Sequence, residues 1–217
     1  MRTRTTFASV LVALATIAAG RIGAEQLAAR TTADWIKTLD APARVAAMRV
    51  DDVIGRLKLA PGQVVADLGA GTGAFSLPLA KAVGPAGKVY AVEIDKGLVE
   101  YISRKVADSG TANLQTVLGT QSDPLLPVAA VDVAFMHDVL HHVSDRAAYL
   151  KNAARYIKPR GRFVIIDPDP ALGPHKGDSA LVVSKAQAND WMKAAGFVPI
   201  DDVRMFTDRW FVIYERQ

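Results

Sequence analysis

A strand-like segment of the chain runs directly into a turn that contains three glycines. Val64–Leu68 is apolar except for Asp67, and Gly69, Gly71 and Gly73 follow it before a helix-like stretch. Glycine lets the backbone turn sharply and approach a ligand where a Cβ would collide, and the helix start that follows offers free amide groups. The pattern therefore predicts a nucleotide-type binding loop, in which the three glycines contact the ligand.

Two classes of cofactor are compatible with this loop. The glycine spacing over residues 69–74 also satisfies the dinucleotide fingerprint, in which a pyrophosphate rests on the helix N-terminus. Asp67 lies two residues before the first glycine, where its carboxylate would repel a pyrophosphate but suits a ligand with an ammonium and a sulfonium group. S-adenosylmethionine carries both groups, so we predict this cofactor and keep an NAD-dependent oxidoreductase as an alternative.

A second acidic residue ends the next strand-like segment. Glu93 lies twenty residues after Gly73, where both cofactor classes place an acceptor for the ribose hydroxyls. We predict Glu93 in that role. Asp95 is the alternative, but aspartate is a favoured N-cap, so we expect Asp95 to begin the following helix.

Motifs in four segments resemble class I S-adenosylmethionine-dependent methyltransferases. Residues 65–73 are similar to the first motif of that family and residues 91–95 to the second, while residues 118–127 and 131–142 resemble its quinone-methyltransferase-like, type 11 branch. The resemblance covers about residues 51–217. It implies an enzyme that transfers a methyl group by in-line displacement to an unidentified small-molecule or lipid-like acceptor. Arsenite is disfavoured as acceptor, because its chemistry would be expected to use cysteine thiolates and the chain has none.

The resemblance also implies an adenine pocket near residues 120–123. Thr120 stands where the family pattern has an acid, and Asp123 comes later than that pattern places one. We predict Thr120 and Asp123 as cofactor-binding residues. For Asp123 a second interpretation stays open, in which it begins the turn at Asp123–Pro124.

His137 ends the predicted fourth strand, and the resemblance implies that it lies beside the methionine portion of the cofactor. Related enzymes often place substrate-facing groups there, so His137 is predicted to contact the cofactor and is the candidate catalytic base if the acceptor must lose a proton. In the alternative, its backbone lines the pocket and its ring is a spectator.

The remaining histidines raise the question of a metal site. His137 and His141 have the spacing of a zinc-protease helix motif with Asp138 in place of glutamate. We predict no metal, because His137 lies at a strand exit and need not share a helical face with His141, and no third ligand is evident. We expect His141 and His142 at the surface, where a helix begins, and His175 in a loop that is a solvated connector or part of a lid.

Short apolar runs alternate with helix-like stretches from residue 50 onward, which is typical of a mostly parallel sheet covered by helices on both faces. We predict a doubly wound, Rossmann-like α/β fold, with Ser144 and Ser184 as helix N-caps. The family resemblance implies the strand order 3-2-1-4-5-7-6 with an antiparallel last strand. The seven predicted strands are Val64–Leu68, Lys88–Ile94, Leu114–Leu118, Val131–Met136, Arg162–Ile166, Phe197–Val203 and Trp210–Tyr214.

The first 24 residues have a different character. Arg2 and Arg4 precede an apolar run over residues 7–19, which is the layout of a secretory signal. The run is short for a membrane span, which needs about 20 residues, but it could still tether the chain. We therefore predict residues 1–24 as a signal or anchor, residues 25–50 as a helical cap and residues 51–217 as the methyltransferase domain of a periplasmic, secreted or membrane-anchored protein.

Charge and composition limit the classes of partner. The net charge is +4, but the first 24 residues contribute three arginines and no acid, and no basic stripe follows, so nucleic acid is not predicted as a partner. We expect a small-molecule or lipid-like acceptor and membrane association through residues 1–24. Because S-adenosylmethionine is made in the cytoplasm, an exported binding module without catalysis is a further alternative.

Overall fold

The computed structural model describes residues 30–217. These residues form one seven-stranded sheet with the order β3-β2-β1-β4-β5-β7-β6, as the resemblance implied. Strands β1 to β5 are parallel to one another, and β7 is antiparallel to both β5 and β6. The strands are β1 (Val64–Leu68), β2 (Lys88–Glu93), β3 (Leu114–Leu118), β4 (Val131–His137), β5 (Ile157–Pro168), β6 (Phe197–Asp202) and β7 (Arg209–Arg216).

Seven helices and one 3-10 turn accompany the sheet within the described part of the chain. A 3-10 turn over Leu140–His142 follows β4 directly. The predicted caps of two helices are confirmed: the side chain of Asp95 accepts a hydrogen bond from the amide of Leu98, and Ser184 forms a capping box with Gln187. The helices are α1 (Thr32–Leu39), α2 (Pro42–Ala47), α3 (Val50–Leu57), α4 (Ser76–Val83), α5 (Lys96–Ser109), α6 (Arg146–Ala154) and α7 (Lys185–Ala194).

Two predicted boundaries near α6 were wrong. Asp145 caps α6 instead of Ser144, because its side chain accepts the amide hydrogen of Ala148. Strand β5 begins at Ile157 instead of Arg162 and pairs with β4 at both positions. The register shifts over the intervening residues 158–161, and because these residues include Pro159 and Gly161, the sequence pattern indicated a strand only after them.

The apolar core lies on both faces of the sheet, because the central strands are buried along nearly their whole length. Helices α6 and α7 pack against one face of the sheet, and helices α3, α4 and α5 pack against the opposite face. Alternate side chains of a strand point to opposite faces, so both faces of the sheet are packed. The packed sheet is a rigid support for the polar residues at the strand ends. Asp67, Glu93, His137 and Asp167 occupy such positions at the carboxyl ends of β1, β2, β4 and β5.

The predicted signal or anchor over residues 1–24 lies outside the described residues and stays a prediction. Among residues 30–217, no helix combines the length and the apolar character that a membrane crossing requires.

Candidate functional site

A cavity of about 1000 Å³ opens at the carboxyl ends of the parallel strands, where ligands bind in open α/β sheets. Helices α1 and α2 cover part of it through Trp35, Leu39 and Arg44, while the glycine-rich loop forms its floor. Two side-chain hydrogen bonds join helix α1 to helix α5. Thr32 of α1 donates to Asp95, the N-cap of α5, and Tyr101 of α5 donates to Asp40 at the end of α1. Helices α1 and α2, which precede the main domain, therefore complete the cavity.

The glycine-rich loop has little space for larger side chains at two of its positions. A Cβ added to Gly69 would lie 2.5 Å from a methyl group of Val139, and one added to Gly71 would lie 3.2 Å from Leu39. Both glycines, and Gly73, have positive φ angles. Gly69 and Gly71 line the cavity, whereas Gly73 lies behind it and donates its amide hydrogen to the carbonyl of Ala70. Gly73 therefore shapes the turn.

Asp67 is buried at the base of the cavity. Its Oδ2 accepts a hydrogen bond of 2.5 Å from the hydroxyl of Ser76, the first residue of α4. Burial is the largest of the effects that together raise the pKa of Asp67 to about 7; the hydrogen bond from Ser76 lowers this pKa and the negative charge of Glu93 raises it. Without a cation beside it, this carboxyl group is only partly ionised at neutral pH.

Glu93 is held by backbone amides of two segments. Its Oε2 accepts the amide hydrogen of Gly71 at 2.8 Å, and its Oε1 accepts those of Ile94 and Asp95 at 2.7 and 3.1 Å. Burial raises the pKa of Glu93, and the three amide hydrogens act in the opposite direction. The side chain lines the cavity next to the glycine-rich loop, so its orientation is set before any ligand binds.

The two residues predicted for the adenine pocket differ in their surroundings. Thr120 lines the cavity. The carboxylate of Asp123 instead accepts hydrogen bonds from Arg155, Tyr156 and the amide of Leu125. Because these contacts point its side chain away from the cavity lining, the geometry favours the turn-forming interpretation of Asp123.

His137 lies at the cavity wall between aromatic rings. Its ring centroid is 4.9 Å from that of Phe75 and 6.2 Å from that of Phe206, and its Nε2 has no hydrogen-bond partner among residues 30–217. Burial lowers the pKa of His137 to about 4. The ring is therefore neutral at neutral pH, and a group with so low a pKa is a weak general base.

Asp138 joins the helical cap to the sheet, a role that the sequence did not indicate. Its carboxylate accepts two hydrogen bonds from Arg209, at 2.8 and 3.1 Å, and lies 3.8 Å from the guanidinium of Arg44 on α2. The residue has a φ of 56°, a left-handed conformation that is uncommon outside glycine. All three charged residues line the cavity, beside His137.

Three histidines meet on the side of the cavity over β4 and β5. His141 is buried, and its Nδ1 lies 2.9 Å from Oδ1 of the buried Asp167. One ring nitrogen from each of His141, His142 and His175 lies within 4.8 Å of the others. The expectation that His141 is a surface residue was therefore wrong, because the 3-10 turn points it inward. His175, which we expected in a solvated connector or lid, lines the same cavity.

Comparisons with known proteins agree with this geometry. A family profile described as "Methyltransferase domain" matches residues 59–203. Demethylmenaquinone methyltransferase of Geobacillus sp. (strain WCH70) is 28% identical over 117 residues, 54% of this chain and 50% of that protein. Nocamycin O-methyltransferase of Saccharothrix syringae is 31% identical over 121 residues, 52% of this chain and 43% of that protein. The chain thus spans about half the length of these relatives.

A solved structure matches over a larger share of the chain. The crystal structure of a SAM dependent methyltransferase from Aquifex aeolicus has a TM-score of 0.78 and 26% sequence identity. The match covers 87% of this chain and 100% of that one. The shared region therefore includes most of the described residues.

Proposed function

The chain belongs to the methyltransferase-domain family, and from that premise we propose that it transfers a methyl group from S-adenosylmethionine to a small, largely apolar acceptor. The observation that carries the proposal is the pair of buried carboxylates, Asp67 and Glu93, at the ends of adjacent strands facing one cavity.

The donor set fits S-adenosylmethionine better than a dinucleotide. Asp67 offers a buried negative charge, which attracts an ammonium or sulfonium group and repels a pyrophosphate. Glu93 offers carboxylate oxygens for ribose hydroxyls, and Gly69 and Gly71 leave the floor open for close approach. Thr120 lines the wall on the side proposed for the adenine ring. The family match and this donor set both disfavour the NAD-dependent alternative.

The acceptor would lie over β4 and β5, on the opposite side of the cavity from Glu93. Adjacent strands are about 4.8 Å apart, so β5 lies about 14 Å from β2 across the sheet. That part of the lining combines apolar side chains with a few polar groups, which is typical of small-molecule sites. The names of the relatives, a demethylmenaquinone and a nocamycin methyltransferase, support a ring-containing or lipid-like acceptor.

The residues of the chain would act mainly by positioning. The bound cofactor supplies an electrophilic methyl group on a sulfonium, whose leaving group needs no proton. Asp67 and Glu93 would fix the ends of the cofactor, and Trp35 and Leu39 on α1 would exclude water from above. His137 would line the transfer path as a neutral ring and, with its low pKa, would contribute little as a base.

The proposal is tested by calorimetric titration of the full-length chain with S-adenosylmethionine, S-adenosylhomocysteine and NAD. We expect micromolar binding of the first two, which Asp67→Asn and Glu93→Gln weaken, and no binding of NAD. A screen of quinols and phenols with a labelled methyl donor then identifies the acceptor. If the folded chain binds neither adenosyl ligand, the enzyme proposal is wrong and an exported domain repurposed for another role becomes the better interpretation.

We also propose that residues 1–24 direct export or anchor the protein at a membrane, on the basis of their charge and apolar pattern. Cell fractionation of the full chain and of a variant that begins at residue 25 tests this. Equal cytoplasmic distribution of the two forms would contradict it.

A further inference from the structure

The cluster of His141, His142 and His175 is not used by the binding of the cofactor. We propose that these three side chains bind one zinc-like divalent transition-metal ion whose open coordination position faces the cavity. Three imidazole ligands with a free fourth position are the arrangement of catalytic zinc sites. Imidazole also suits iron, copper and nickel ions, whereas magnesium and calcium prefer oxygen ligands.

The distances are close to those that such an ion requires. One ring nitrogen from each histidine lies within 4.8 Å of the others. With metal–nitrogen distances of about 2.1 Å, the nitrogens of a tetrahedral site lie about 3.4 Å apart, so the widest pair would approach by about 1.4 Å. His175 is only partly buried in the loop between β5 and α7, and movement of its side chain can close that gap.

The contact between His141 and Asp167 has the form of a supported metal ligand. Asp167 lies 2.9 Å from Nδ1 of His141, so a hydrogen on that nitrogen leaves the lone pair on Nε2 for a metal. Histidines that bind metals commonly donate their other ring hydrogen to a carboxylate in this way. Asp167 is fully buried, and its second oxygen has no hydrogen-bond partner among residues 30–217. A dication bound to Nε2 of His141 would place positive charge on the far side of the imidazole ring from Asp167.

Arg146 holds together the two segments that supply the histidines. Its Nη2 donates hydrogen bonds to the carbonyl of His141 at 2.8 Å and to the carbonyl of Ala180 at 2.7 Å. The first of these lies on the 3-10 turn and the second on the loop that carries His175. The backbone of both segments is therefore fixed near the cluster without using the imidazole rings.

The ion would hold the acceptor, a role that rests on the proposed methyl transfer. A hydroxyl oxygen in the open position would release its proton to solvent, because a bound metal lowers the pKa of a coordinated hydroxyl. A lone pair of that oxygen would then bond to the methyl carbon, and the carbon–sulfur bond would break with its electron pair remaining on sulfur. The site would thereby supply the activation that the neutral ring of His137 does not.

The composition of the chain makes the site easy to test. The protein has four histidines and no cysteine, so His137 is a matched control for the three proposed ligands. The experiment uses the full-length chain without a histidine tag, stripped with a chelator and titrated with Co²⁺ and Zn²⁺. We expect one Co²⁺ per chain with the visible absorption of a low-coordinate site, displaced by equimolar Zn²⁺.

The variants separate the roles of the residues. We expect His175→Ala and His142→Ala each to abolish one-to-one binding of Co²⁺, while His137→Ala retains it. The partly exposed position of His175 makes His175→Ala the variant least expected to disturb folding. Asp167 acts as a positioning residue for His141, so Asp167→Asn should lower the affinity for Co²⁺ about 10- to 100-fold and alter the cobalt spectrum. Absence of stoichiometric Co²⁺ binding by the folded chain, or binding that survives His142→Ala and His175→Ala, would overturn the proposal.

Two further readouts separate the metal site from the proposed function. S-adenosylmethionine binding by the metal-stripped chain tests the cofactor site alone, so a failure there does not count against the metal. Addition of 4-nitrophenol to the cobalt-loaded chain should shift the cobalt spectrum if the fourth position is open. An unchanged spectrum would refute the acceptor-holding role and leave a closed metal site.

Discussion

The raised pKa of Asp67 makes cofactor binding depend on pH in a way that can be calculated. Burial raises this pKa from 3.8 to about 7 in the ligand-free chain. At 1.36 kcal/mol per unit, the ionised carboxylate is destabilised by about 4 kcal/mol relative to water. A bound ammonium or sulfonium group favours the ionised form. Binding of S-adenosylmethionine is therefore coupled to the loss of up to one proton, depending on pH.

The affinity should follow the ionised fraction of Asp67. About half of the carboxyl groups are ionised at pH 7.0 and about 3% at pH 5.5, so the association constant should fall about 15-fold between these values. Calorimetry in buffers of different ionisation enthalpy should detect release of up to one proton per cofactor bound below pH 7. Glu93 also has a raised pKa and faces the same cavity, so Glu93→Gln is needed to isolate the contribution of Asp67.

The control variant is Asp67→Asn, which keeps the side-chain shape and removes the titration. It should bind more weakly at pH 7.5 and show little change in affinity down to pH 5.5. If the wild-type affinity is constant over this range, or if Asp67→Asn retains the wild-type slope, the charge of Asp67 is not what selects the cofactor.

Three further predictions concern stability and the loop. Because a raised carboxyl pKa lowers stability as pH rises from about 4 to 7, Asp67→Asn should stabilise the ligand-free chain by about 2–3 kcal/mol more at pH 8 than at pH 5, measured by denaturant unfolding. Gly69→Ala should cost about 1–3 kcal/mol and weaken cofactor binding, with partial recovery in Gly69→Ala/Val139→Ala if the methyl contact is responsible. Asp138→Ala should lower the unfolding free energy by about 3 kcal/mol, since it removes the buried acceptor of two Arg209 hydrogen bonds and leaves the guanidinium paired with the exposed Asp208 alone among residues 30–217; a change below 1 kcal/mol would contradict a structural role.

Features that depend on local spacing could be predicted from the sequence. The buried strand before the glycines and the acid at the end of β2 place Asp67 and Glu93 on one cavity, because carboxyl ends of neighbouring parallel strands share an edge of the sheet. The strand order followed from the family resemblance and is confirmed. The caps Asp95 and Ser184 were predictable because their hydrogen bonds span only three residues.

Features that depend on long-range contacts could not be predicted in this way. The pair of Asp138 and Arg209 joins residues 71 positions apart, and His175 reaches His141 only because its loop folds back over β5. The spacing of His137 and His141 did not indicate the cluster that forms, because His141 and His142 instead meet His175, which comes from a distant segment. At Asp123 the sequence left two interpretations open, and the contact with Arg155 that favours the turn-forming one joins residues 32 positions apart.

The carboxyl ends of the strands divide the cavity into two chemically different halves. Over β2 and β1 lie the carboxylates Glu93 and Asp67, which favour a positively charged ligand with hydroxyl groups. Over β4 and β5 lie His137 and the histidine cluster, and burial lowers the pKa of His137 to about 4 and that of His142 to about 3. Neutral imidazoles do not compete for the carboxylates, but their lone pairs can hold a metal or accept a hydrogen bond. A cationic methyl donor and an oxygen acceptor would therefore each be drawn to a different half of the same edge, and transfer would occur where β1 and β4 meet.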